Sequence, residues 1–361
     1  MTSDVPGADD GPGEGADEVD RFARDDRPPR PDGGRRTRRD PLGDAHTPVD
    51  RTRTRPDSGA GDGRPLEGSR GAPTGTLDES CPVTAAIRDA SALGRVAHVG
   101  PALDRRFGTE RRLRTTIDGA SRRVDVRTFR EPEGDEDGFE SALVDQLRRW
   151  ASLGDVDGVV PVVDSGEAGR PWVATASTGP TLRGRETPSV ARALRQATHL
   201  SAALAAVHDH GVVHAGIDPG NVVFTLGRNG PPRPALHNPG LVDVHRRYED
   251  PATVLDPRYA APEFFASDRG VVDRRTDVYG LGAVCFRLFT GVAPVAGPAE
   301  SIAERVTADE PLPRPSRVEP RLPDAVDEVV RRATATDKFE RYDTAHDLHE
   351  DLVAVRDGHR D

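Results

Sequence analysis

Hydrophobic residues fall into periodic segments from about Ala92 onward and are scattered without period before it. The run Arg123-Val124-Asp125-Val126-Arg127-Thr128-Phe129 alternates as a half-buried strand does. Phe139, Leu143, Leu147 and Trp150 then recur at helical spacing between Phe139 and Leu153. Two further strand-like runs, Val159 to Val163 and Pro171 to Thr175, flank a turn around Gly166 and Gly169. Beyond Pro188 the period changes: Val190, Leu194, Ala197, Leu200, Leu204 and Val207 predict a long buried helix stopped at Gly211. A second apolar helix runs from Asp277 to Thr290, closed by Gly291 and Pro294, and a terminal helical region runs from Asp324 to Val355. The pattern predicts an α+β chain, with a small strand-rich lobe carrying one helix ahead of a larger helical lobe. No internal repeat is visible.

Composition sharpens the division. Only 35% of the 361 residues are hydrophobic, against roughly 45–50% in an ordinary globular chain, so part of the chain buries little. That part is Met1 to about Glu79, which is dense in Pro, Gly, Asp and Arg, has Phe22 as its only aromatic residue, and is expected to be disordered. Within it, Arg35-Arg36-Thr37-Arg38-Arg39 could meet phosphates. Acidic flanks and the lack of interleaved aromatics weigh against nucleic acid there. With 61 Asp and Glu against 50 Lys and Arg, the net charge is −11. Lys338 is the only lysine, so chemistry that needs a lysine elsewhere is excluded. Acidic and lysine-poor, the composition fits a GC-rich genome and resembles that of proteins adapted to a salty cytoplasm. Two cysteines, Cys81 and Cys285, are too few for a disulfide framework or a Cys-rich zinc site. No apolar run is long enough to span a membrane and the first residues do not read as a secretion signal, so a cytoplasmic location is expected.

The second half carries ordered motifs. Gly211-Val212-Val213-His214-Ala215-Gly216-Ile217-Asp218-Pro219-Gly220-Asn221 follows the long helix, and Leu236-His237-Asn238-Pro239-Gly240 comes next. Then follow Tyr259-Ala260-Ala261-Pro262-Glu263, the helix start Asp277-Val278-Tyr279-Gly280, and Asp337-Lys338-Phe339-Glu340-Arg341. Order and spacing resemble the eukaryotic-type Ser/Thr protein kinases, whose catalytic loop reads H-R-D-x-x-x-x-N and whose later motifs are D-F-G and A-P-E. The resemblance implies a bilobal kinase-like fold, with a tail at 1–80, an N-lobe at 92–176 and a C-lobe at 177–357. It implies structural roles for His214, Gly240, Pro262, Glu263, Asp277 and Arg341, with Glu263 and Arg341 forming an ion pair.

The positions that carry chemistry in that family hold other residues here. Gly216 stands at the catalytic aspartate, Asn238 at the metal-binding aspartate, Arg127 at the strand lysine and Gln146 at its glutamate partner. Asn221 keeps the family residue, and it can equally serve as a turn residue bonding its own loop. Leu103 to Ile117 offers Gly108 but no glycine-rich loop, and Asp256 replaces the activation-segment threonine. The resulting expectation is a pseudokinase, a non-catalytic protein-interaction or allosteric signalling module with an unidentified protein partner. No cofactor is expected beyond weak ATP binding without Mg²⁺ through the degenerate set Arg127, Gln146, Asn221 and Asn238, and no metal site. The alternatives are an active, atypical ATP-dependent serine/threonine kinase using Asp218 or Asp243 as its carboxylate, and nucleic-acid binding through the tail.

Overall fold

The computed structural model describes residues 93, 96–117, 119–132, 138–167, 170–225, 231–308 and 310–359. The Arg-rich tail and Cys81 lie outside the described residues.

A five-stranded antiparallel sheet forms first, in the order β1-β2-β3-β5-β4. Its strands are β1 Ala97–Arg105, β2 Gly108–Ile117, β3 Ala120–Phe129, β4 Val162–Gly166 and β5 Trp172–Ala176. On β3 the pleat sends Val124 and Val126 into a small core with Leu113, Trp172 and Ala174. Asp125, Arg127 and Phe129 take the opposite face, where Phe129 joins the main core. Helix α1, Phe139–Ser152, packs against this face through Phe139, Leu143, Leu147 and Trp150, the periodic positions read from the sequence. The strand expected at Val159 to Val163 begins later, at Val162. Pro161 has no N–H to give a ladder, the Val160 carbonyl accepts the Trp150 indole N–H at 2.9 Å, and Val159 makes only an isolated bridge to Leu236. β1 and β2 had no clear signal, because β2 is crowded with arginines and threonines along its length.

The helical half follows. A three-stranded sheet of β6 Thr178–Thr181, β7 Val222–Thr225 and β8 Pro234–Leu236 sits beside α2, Val190–Asp209. Gly211 at φ 75° ends the turn after α2 as the sequence signals. The remaining helices are α3 Leu241–His245, α4 Pro251–Val254, α5 Arg274–Thr290, α6 Ala299–Thr307, α7 Pro315–Val318, α8 Asp324–Ala333 and α9 Ala345–Gly358. α5 starts one turn earlier than its apolar run, because Asp273 and Thr276 close a reciprocal capping box at its N-terminus. The terminal helical region divides into α8 and α9, with a second capping box at Thr344 and Asp347 starting the latter. Among the described residues no helix is long and apolar enough to cross a membrane.

Lys338, the sole lysine, is buried and spent on structure: its ammonium donates to the Val271 carbonyl and to Asp273, both at 2.7 Å.

Candidate functional site

A cavity of about 380 Å³ lies between the five-stranded sheet and the loops after α2. Its roof comes from the β1–β2 hairpin and the inner face of β3; its floor comes from Asn221, His237 and Asn238; one wall is β6. A single buried carboxylate organises the floor. Asp277, 1% exposed at the start of α5, accepts the backbone N–H groups of His214 and Ala215, each at 2.7 Å, and contacts His208 Nε2 at 2.9 Å. These bonds hold Ala215 at φ 52°, a left-handed conformation costly for a residue with a Cβ, and so fix the loop that runs to Asn221.

At position 216 that loop carries no side chain. A Cβ at Gly216 would overlap the Val242 side chain, so the space is filled by a valine from α3. Asp218, two residues on, accepts three hydrogen bonds: Oδ1 takes the Gly220 N–H at 2.5 Å and the Asn221 N–H at 3.1 Å, and Oδ2 takes Arg106 at 2.6 Å. Asp243, on α3, is held by Arg246 at 2.5 Å and by Arg247. Both carboxylates thus carry arginine partners in this arrangement.

Asn221 and Asn238 face each other across the floor. Asn238 donates from Nδ2 to Asn221 Oδ1 at 2.9 Å, and Asn221 donates from Nδ2 to the Gly216 carbonyl at 2.7 Å. Arg127 donates to Asn238 Oδ1 and, at 2.6 Å, to Glu110 Oε2. Both amide oxygens are therefore occupied by N–H donors, one of them a guanidinium. Mg²⁺ requires several free hard oxygens in near-octahedral array, so these residues do not fit it. Among the described residues there is no group of three His, Cys, Asp or Glu side chains placed to hold a metal.

Comparison with known proteins decides the architecture. Residues 181–353 match the family model for the protein kinase domain. The kinase domain of PknI from Mycobacterium tuberculosis superimposes with a TM-score of 0.54 over 72% of this chain and 96% of that one, at 22% identity. The fold is that of the protein kinases. By sequence, the chain is 36% identical over 212 residues to the DNA damage-responsive serine/threonine-protein kinase RqkA of Deinococcus radiodurans, covering 55% of this chain and 30% of that protein. It is 30% identical over 214 residues to the serine/threonine-protein kinase PknB of M. tuberculosis, covering 55% of this chain and 33% of that one. The chain thus spans about a third of the length of these relatives.

Around this cleft the positions named from the motifs make the following contacts. Arg341 donates to Glu263 through two nitrogens, at 2.7 and 3.0 Å, with both side chains fully buried. Gly240, at φ 75°, donates its N–H to the His214 carbonyl at 2.8 Å. Pro262 starts the short 3₁₀ turn that carries Glu263. Gln146 reaches the floor by a route the sequence did not suggest: it donates to the Pro239 carbonyl at 3.0 Å, and its amide fills the space a Cβ at Gly240 would need. Asp256 is tied to Arg258 at 2.7 Å and Arg183 at 3.2 Å. Burial would raise its carboxyl pKa, but these two arginines hold it below the ordinary value.

Three contributors were missed in the sequence. Glu110 pairs with Arg127, Asp125 pairs with Arg112 at 2.7 and 2.8 Å, and Arg106 bridges the hairpin to Asp218. The first two pairs are cross-strand neighbours in the β2–β3 register, Glu110 opposite Arg127 and Arg112 opposite Asp125. The signal was legible only as complementary signs two residues apart on both strands. His237, beside the floor, is driven well below the ordinary histidine pKa by burial, with Arg127 adding to the effect, so it is neutral and brings no positive charge.

Proposed function

We propose that this protein-kinase-like domain works by binding rather than by phosphoryl transfer, as a module for a protein partner, with a cytoplasmic location. The observation that carries the proposal is at Gly216: the catalytic carboxylate is absent and its space is occupied by Val242. General-base assistance contributes on the order of 10²–10⁴ in rate, and positioning and charge neutralisation supply most of the remainder of phosphoryl transfer. Here the base is gone, and the floor that would hold a metal is closed by amide–amide and amide–guanidinium bonds. Nucleotide, if taken up, is held weakly and without Mg²⁺.

The second reading is an ATP-dependent serine/threonine kinase. It is favoured by the sequence similarity to proteins bearing that name. It requires Asp218 or Asp243 to exchange its arginine partners for a substrate. The test is transfer of labelled γ-phosphate to the protein itself and to a general protein substrate. The binding reading expects incorporation at the no-protein background with and without Mg²⁺; Mg²⁺-dependent incorporation would establish the kinase reading instead.

A further inference from the structure

The cavity does not offer its two halves equally to a nucleotide. A nucleobase is recognised by a polar edge against backbone donors and acceptors and by flat apolar walls. On the wall formed by β6, and at Ser177 just before it, several backbone groups are already committed. The Thr178 N–H donates to Asp125 at 3.2 Å, the Thr178 carbonyl accepts Arg112 at 2.8 Å, and the Ser177 N–H donates to the Arg123 carbonyl at 3.3 Å. The next lining positions, Gly179 and Pro180, add one N–H between them, because proline has none. The roof above is charged, since β2 contributes Glu110 and Arg112 to the cavity. Arg112 is moreover held by Asp125 through two nitrogens, so the polar edge offered to a base here is charged and already paired.

Donors for an anion are plentiful around the cavity. Arg105, Arg106, Arg112, Arg127 and Arg183 line the cavity, and Glu110 is the only carboxylate among the lining residues. Asp125, Asp218 and Asp256 pair with three of these arginines from outside the lining. A guanidinium has five N–H donors on three nitrogens. Arg105 uses Nε alone, toward Glu110 at 3.3 Å; Arg106 uses one terminal nitrogen, toward Asp218; Arg183 uses one, toward Asp256. Arg105 and Arg183 are about half exposed, with side-chain accessibilities of 46% and 52%, so they reach solvent as well as the cavity. The volume of about 380 Å³ falls in the range of small-molecule sites. Five guanidiniums here meet four carboxylates, which leaves one net positive charge beside unused N–H donors for an anion's oxygens.

We infer that the cleft is an oligophosphate site that reads the phosphates and ignores the base, with arginines in place of the metal. The inference rests on the non-catalytic reading of the same cleft and names the ligand class it takes. A free oligophosphate and the phosphate tail of a nucleotide share this chemistry, and the experiment separates them.

The experiment is a calorimetric titration of the full chain at one fixed salt concentration with tripolyphosphate, ATP and adenosine, each in EDTA and in Mg²⁺. Tripolyphosphate and ATP should bind in EDTA with dissociation constants within about threefold of each other. Adenosine should give no heat at the same concentrations, and Mg²⁺ should weaken both anions by competing for their oxygens. The double variant Arg105→Ala/Arg183→Ala should weaken tripolyphosphate by about tenfold or more, while Arg122→Ala, on an exposed stretch of β3 away from the cavity, should leave it unchanged. ATP binding more than tenfold tighter than tripolyphosphate, binding that needs Mg²⁺, or equal loss in the Arg122→Ala control would overturn the inference. No binding of any of the three would also overturn it, while leaving the non-catalytic reading intact. Phosphate transfer in the labelling assay would sink that reading regardless of the binding profile.

Discussion

The buried scaffold around Glu263 and the cleft around Gly216 share α5 as a support, yet they treat charge in opposite ways. At Glu263 every partner is supplied: Arg341 grips it through two nitrogens, Thr276 donates its hydroxyl at 2.7 Å, and the remaining Arg341 donors reach the carbonyls of Ala335, Thr336 and Arg275. In the cleft the carboxylates are missing from the centre, and those nearby are consumed by arginines. The difference follows from where each group stands. A charge sealed in the core that loses its partner is strongly destabilising, because desolvation is repaid only by the pair. Around the cleft the arginines and carboxylates pair with one another nearer the surface, and two of the arginines, Arg105 and Arg183, are about half exposed.

The largest effect expected is therefore in the scaffold. Arg341→Ala should cost about 3–5 kcal/mol by leaving Glu263 buried and unpaired. Arg356→Ala, whose partner Asp357 is exposed, should change the melting temperature little. Thermal unfolding of the two variants side by side checks this; equal losses would break the contrast between the two regions.

Next comes the attempted repair of the cleft. Gly216→Asp should cost about 1–3 kcal/mol, because its Cβ overlaps Val242 in a packed site, and should yield no transfer activity. Adding Val242→Ala should return a good part of that stability by opening the space. A single Gly216→Asp variant as stable as the parent would show that Val242 does not occupy the position.

Arg106→Ala sharpens the comparison from the cleft side. The Arg106–Asp218 pair ties the hairpin to the loop below, with side-chain exposures of 21% and 6%. Asp218 keeps its backbone donors from Gly220 and Asn221, so the loss should stay near 1–2 kcal/mol. Amide exchange at residues 103–109 should rise while that around Asp277 stays fixed.

The smallest effect is in acid. His237 and His214 are held neutral by burial, below the ordinary histidine value of 6.5. The unfolded chain therefore binds more protons than the folded one as pH falls through that value, so stability is full above about 6.5 and declines below it. Denaturant unfolding at pH 7.5 and pH 5.5 should show the decline, and His237→Gln should reduce it.

Much of this architecture could be read from residue spacing. His214, Asn221, Gly240, Glu263 and Arg341 are legible because each serves the backbone or the core at a fixed distance along the chain. The substitutions Gly216 and Asn238 were legible for the same reason. Glu110, Asp125 and Arg106 were not, because their roles depend on the β2–β3 register and on how the hairpin descends onto the loop. Both are tertiary facts with no local signal in an arginine-crowded strand. Val242 escaped notice because an ordinary apolar residue on a short helix shows nothing of the vacancy it fills. Gln146 was expected to form no charged pair, and its contact with the Pro239 carbonyl depends on how α1 meets the floor, which has no local signal.

The central claim, that the cleft has lost its catalytic carboxylate and no neighbour has taken over, is tested most directly by labelled-phosphate incorporation in the wild type beside Asp218→Asn and Asp243→Asn. The account predicts that all three stay at background with Mg²⁺ present. Incorporation by the wild type that one of these variants abolishes, with its fold and melting temperature retained, would show that the carboxylate has moved rather than gone.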